Sequence, residues 1–172
     1  MEVRRITHRS AVNERQLYLA SIGDVDDWPD ALPLPLKPFV GFMAIDVRPL
    51  TNDRLRTFAR KLLLQRCVYT CCWGPDADRL DTAFDLELSE PDPTPSRELP
   101  YGMGVMTESD EGDSLAEALW AAVYSAYPEH GDGDVVLAIS QPAWAEQIAW
   151  RFANSRQLFE LPDLFEDEDE GS

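Results

Sequence analysis

Lysine and histidine are scarce in this chain. Its 172 residues include only two of each, Lys37 and Lys61, and His8 and His130. Lys37 lies in a proline-rich stretch and Lys61 inside a helical pattern, which argues against lysine-based phosphate binding and Schiff-base chemistry. Neither histidine ends an apolar run, so neither reads as a general base at a strand exit. Glycine is sparse too, at nine residues. No G-x-G-x-x-G follows the first apolar run, whose exit reads "IDVRPLT", and no G-K-[ST] phosphate loop occurs. Asp46-x-Arg48 lacks the second aspartate of a phosphatase-type motif, and a receiver-type site would need a lysine after the last strand. No apolar run approaches the roughly 20 residues of a membrane-spanning helix. The opening "MEVRRITHRS" has no apolar stretch behind its charges, unlike a secretory signal. Three cysteines, an odd number, suit a reducing cytosol better than a disulfide framework. The expectation is a cytoplasmic protein without membrane association.

Acid is abundant, and unevenly placed. Residues 1–66 carry 11 Lys+Arg against 8 Asp+Glu, and residues 67–172 carry 4 against 24, within a formal net charge of −17. A phosphate-backbone binder needs a continuous basic surface, so no direct nucleic-acid binding is expected. The acidic excess suits solubility, docking to a basic protein partner, or imitation of nucleic acid. Hydrophobic residues make up 44% of the chain and aromatics 10%, enough for a packed core in a single domain. That domain is expected over 1–165, beginning with an irregular strap (1–38) and followed by an acidic tail, 166–172.

Periodicity gives the elements. "QLYLASI" (16–22) reads as a short strand able to add at a sheet edge. "DVDDWPDALPLPLKP" (24–38) has four prolines and reads as a strap over the body, anchored by Trp28, Leu32, Leu34 and Leu36. "FVGFMAIDV" (39–47), "CVYTCCW" (67–73), residues 103–107 and "DVVLAIS" (134–140) read as buried strands. Each precedes a helical stripe. Thr51 is the expected N-cap of the first helix, with Leu55, Phe58, Ala59, Leu62 and Leu63 on its apolar face. Asp76 is the expected cap of the second, with Leu80, Ala83 and Phe84. Ser114 and Glu117 form a capping box before Leu115, Ala118, Leu119, Ala122, Val123 and Ala126. Pro142 opens the last helix, with Trp144, Ala145, Ile148, Ala149 and Phe152 on its stripe. Strand–helix alternation predicts an α/β fold: a three-layer α/β/α sandwich with a mostly parallel four- to five-stranded sheet, Rossmann- or flavodoxin-like.

In such a sheet, ligands sit beyond the strand carboxyl ends. The candidate ligand-binding residues are therefore Asp46, Trp73, Asp76, Thr107, Glu108 and Ser140, with Asp78, Ser109 and Asp110 nearby and Arg48 the cation among them. Asp46, Asp76, Asp78 and Glu108 are hard-cation donors in type, although Asp76 and Asp78 also suit a helix N-terminus. Strict alternation puts Cys67, Tyr69, Cys71 and Trp73 on one strand face and Val68, Thr70 and Cys72 on the other. Cys71 and Cys72 then point apart, and Cys67 and Cys71 stand about 13 Å from each other at strand rise, too far for one zinc ion. The cysteines read as core packing, with no metal, cofactor or catalytic residue assigned.

Several of these stretches resemble a family of uncharacterised bacterial α/β proteins. The first is a Cys-x-Tyr-x-x-x-Trp-Gly-x-Asp strand exit (Cys67, Tyr69, Trp73, Gly74, Asp76). Val105-Met106-Thr107, the Ser-Leu-x-Glu-Ala-Leu-Trp run from Ser114 to Trp120, and Asp27-Trp28-Pro29 are similar as well. The resemblance covers roughly residues 25–150 and implies an α/β fold in a bacterial cytoplasm. The family's Trp-His pair after Met-Thr is replaced here by Glu108-Ser109. The leading expectation is a non-enzymatic accessory or protein–protein interaction module, with weak homo-oligomerisation through the tail and the basic first helix. The alternatives are a small-ligand or Mg²⁺-dependent enzyme using Asp46, Asp76 and Glu108, and an acidic inhibitor that mimics nucleic acid.

Overall fold

The computed structural model describes residues 1–9, 15–32, 38–89, 106–109, 112–128, 133 and 135–154, with the side chains of 7–9, 106 and 108 excepted. Six strands form one sheet: β1 (Glu2–Arg9), β2 (Gln16–Ser21), β3 (Phe39–Ala44), β4 (Cys67–Trp73), β5 (Met106–Ser109) and β6 (Val135–Ser140). Their order is β1-β2-β6-β3-β4-β5. β1 is antiparallel to β2, and every other neighbouring pair is parallel. The helices are α1 (Asn52–Leu64), α2 (Asp78–Ser89), α3 (Leu115–Trp120) and α4 (Pro142–Ala153). The fold is thus α/β with a mostly parallel sheet.

Alternation along β3 separates two cores. Phe39 and Met43 join a cluster with Leu55, Phe58 and Leu62 of α1 and Leu80 and Phe84 of α2. Val40, Phe42 and Ala44 join Leu115 and Leu119 of α3 and Ile148 and Phe152 of α4. Successive residues of a strand point to opposite faces, so α1 and α2 cover one face and α3 and α4 the other.

The sheet is one strand wider than expected. Residues 2–9, read as part of an irregular strap, form β1, and β2 therefore lies inside the sheet between β1 and β6. β1 has little apolar patterning of its own, with Val3 and Ile6 its inward contributions. Its strand state comes from pairing with β2. β5 includes residues 106–109, past the expected end at 107, while residues 101–105 lie outside the described residues. The strap does lie on the body: Trp28 is buried, edge-on to Phe58 with ring centroids 5.9 Å apart. Its indole donates to Gln65 at 2.9 Å. Leu34 and Leu36 fall outside the described residues.

Strict alternation fails once. Phe39 pairs with Cys67 but Val40 with Tyr69, so Val68 is the extra residue of a bulge. Cys67 consequently faces the α1–α2 core with Cys72, while Tyr69 and Cys71 face the other. The expected shared face of Cys67 and Cys71 is corrected accordingly. All three thiols are buried.

Candidate functional site

β3 and β6 are neighbours whose following helices lie on opposite faces of the sheet. This is the topological switch where a doubly wound sheet opens a crevice. Here the segment leaving β3 makes hydrogen bonds to both sides. Beyond β3, Ile45 donates its N–H to the Trp73 carbonyl at 3.1 Å, and Val47 to the Pro75 carbonyl at 3.3 Å. On the other side Gln141 N–H donates to the Ala44 carbonyl at 3.3 Å. The Gln141 side-chain oxygen accepts the Asp46 N–H at 2.9 Å. The segment leaving β3 is thus clamped to β4 on one side and to the β6 exit on the other.

The ionic groups here are also paired within the chain. Arg48 donates through Nε and Nη2 to the two Asp46 oxygens, at 2.9 and 2.7 Å. That guanidinium holds the Asp46 carboxyl below its ordinary range. Arg48 itself is raised, first by its bonds to Asp46 and more weakly by the charge of Asp76. Arg79, a second cation that the sequence reading did not place here, bonds Asp76 at 3.1 Å. It also donates to the Val47 and Leu50 carbonyls and to Asn52 Oδ1, at 3.3, 2.8 and 2.8 Å. Its position three residues after Asp76, at the start of α2, is the signal that could have revealed it.

The β4 exit turns on two positive φ angles, +120° at Gly74 and 66° at Asp76. A Cβ on Gly74 would stand 2.7 Å from the Ile45 carbonyl oxygen. The left-handed Asp76 does not have the extended backbone of an N-cap. Its carboxylate serves Arg79, which corrects its expected capping role. Thr51 does occupy the N-cap position of α1, without a side-chain cap bond.

The remaining candidates are dispersed. Trp73 packs edge-on to Trp144, with centroids 5.4 Å apart, and donates its indole N–H to the Asp113 carbonyl at 2.8 Å. Ser140 is buried and its hydroxyl donates to the Gln141 carbonyl at 2.9 Å. Thr107 donates to Asp85 at 2.8 Å, and Ser109 to Asp78 at 2.5 Å. The Glu108 side chain and Asp110 lie outside the described residues. The structure therefore brings Asp46 and Asp76 around Arg48 but sets Thr107 against α2 and Ser140 inward. Among the described residues, no three His, Cys, Asp or Glu side chains are grouped so as to hold a metal ion. No helix among them is long and apolar enough to cross a membrane.

A family model described as "Domain of unknown function (DUF7684)" matches residues 19–155. No curated protein and no solved structure matches the chain.

Proposed function

Since the chain belongs to the DUF7684 family of domains of unknown function, a membership that assigns no activity, we propose a function from the strand ends: an acidic α/β accessory module that works by binding another protein. The observation that carries this reading is the closure of the switch point. Gln141 bridges β6 to β3, and Arg48 and Arg79 occupy the carboxylates of Asp46 and Asp76. A catalytic carboxylate needs a lone pair or a proton available to substrate. Here the first would have to be won back from a bidentate arginine. The basic face of α1 is similarly engaged, by Asp24, Asp26, Asp30 and Glu87. The second part of the chain carries 24 Asp+Glu against 4 Lys+Arg, an imbalance that favours a partner with a basic surface.

The competing reading is a small-ligand or Mg²⁺-dependent enzyme, which would recruit Asp46, Asp76 and Glu108 after Arg48 swings away; Arg48 is exposed enough to do so, at 66%. Melting temperature across a panel of nucleotides and divalent ions separates the two. The accessory reading expects no shift. A shift that disappears in Asp46→Asn and Asp76→Asn would establish the enzyme-type site instead. The third reading, mimicry of nucleic acid, would be favoured by competition between this chain and DNA for a basic protein.

A further inference from the structure

A groove of about 210 Å³ opens between the β1–β2 edge of the sheet and the start of α4. β1 contributes Glu2 and Arg4, β2 contributes Leu19 and Ser21, and α4 contributes Pro142, Ala145 and Glu146. The pairing register explains how they meet. Glu2 stands opposite Ser21 and Arg4 opposite Leu19, so all four share the sheet face that α4 covers. Leu19 and Ala145 are buried and make an apolar floor, while Pro142, Glu2, Arg4 and Glu146 are exposed at the rim. Among the described residues none of these three charged groups enters an ion pair, although all line one groove.

We propose that this groove binds a small zwitterion carrying a second cationic group, the chemistry of a basic α-amino acid. A guanidinium fork matches a carboxylate, and Arg4 with the Ser21 hydroxyl supplies those donors. Glu2 and Glu146 supply two acceptors for two cationic groups, and the floor takes the methylene stem. The charge inventory selects the ligand: a plain carboxylate meets two like charges, and a plain diamine leaves Arg4 unanswered. With a water occupying about 30 Å³, the volume suits a ligand the size of an amino acid. None of these residues takes part in the Asp46, Arg48, Asp76 and Gln141 contacts on which the accessory reading rests, so this inference stands or falls separately from it.

Calorimetric titration of the full chain tests it, with L-lysine and L-arginine as probes and L-alanine, L-glutamate and pentane-1,5-diamine beside them. Saturable binding of a basic amino acid in the millimolar range is expected for a ligand this small in an open groove. Binding about tenfold weaker is expected for the other three probes, and for the basic amino acid in Arg4→Gln and in Glu146→Gln. Both positions are exposed, so melting temperature should stay unchanged and report intact folding. The proposal is overturned by an absence of saturable binding to either basic amino acid, by equal binding of the diamine, or by full binding in both variants.

Discussion

Gly74 is the residue on which the β4 exit depends. Its φ of +120° and the 2.7 Å approach of a would-be Cβ to the Ile45 carbonyl both exclude a side chain. Gly74→Ala should lower stability by about 2–4 kcal/mol, from backbone strain and displacement of the clamped β3 exit. Chemical denaturation would read this as a lower midpoint at unchanged slope. Glu87 is the second sensitive residue. Its side chain is only 6% exposed and bonds Arg56 at 2.8 Å and Arg60 at 2.5 Å, joining α2 to α1. Burial pushes its carboxyl up, but the bonds from Arg60 and Arg56 outweigh burial and leave it below its ordinary value. A depressed carboxylate stabilises above its unfolded pKa, near 4.5, and that contribution is lost as pH falls through the folded value. Glu87→Ala should therefore cost about 1–3 kcal/mol at neutral pH and flatten the acid limb of a stability–pH curve.

Among the elements, α3 has the most revealing ending. It begins in the capping box read from sequence, with Ser114 and Glu117 bonded reciprocally. It then widens into a π-helical turn over Ala121–Ser125. The carbonyls near that end accept from the buried guanidinium of Arg15: Ala122 and Val123 at 3.0 Å each, and Ala126 at 2.5 Å. Arg15→Ala should cost about 2–4 kcal/mol, since it removes three guanidinium bonds to carbonyls at a negative helix end. Thermal melting would read the loss, with Arg15→Lys recovering part of it. The α3 stripe was legible because all six of its apolar positions, from Leu115 to Ala126, are buried. Arg15 was not, because a long-range cap has no local spacing to betray it. β3, β4 and β6 were legible as apolar runs for the same reason as the stripe. β1 was hidden by its charges, and the bulge at Val68 by the uniformly apolar neighbours around it. At the strand ends the sequence identified Asp46, Asp76 and Arg48 but not their pairing. Arg48 meets Asp46 locally, two residues away, whereas Arg79 meets Asp76 beside the left-handed turn at Gly74 and Asp76.

At the scale of the whole molecule, the two cores share β3 and β4, and the buried thiols report on their integrity. Burial raises the Cys67 thiol from 9.0 to about 12. A raised folded pKa means this contribution is complete below the unfolded value and is lost as pH rises toward the folded one. Stability should thus decline above about pH 9, by at most about 1.4 kcal/mol per pH unit from this group. Native protein should label slowly with a thiol reagent at neutral pH and rapidly once denatured; fast native labelling would contradict the buried placement of Cys67, Cys71 and Cys72. The charge layout has changed meaning as well. α1 looked like an open basic face, yet Arg54, Arg56, Arg60 and Lys61 pair with the strap and α2. The central claim is that the strand-end switch point is closed by the chain itself. Its most direct test is an amide chemical-shift titration with Mg²⁺ and a nucleoside triphosphate, followed at Asp46, Arg48, Gly74, Asp76 and Gln141. The account predicts that these amides stay in place through saturating concentrations, and shifts clustered on them would contradict it.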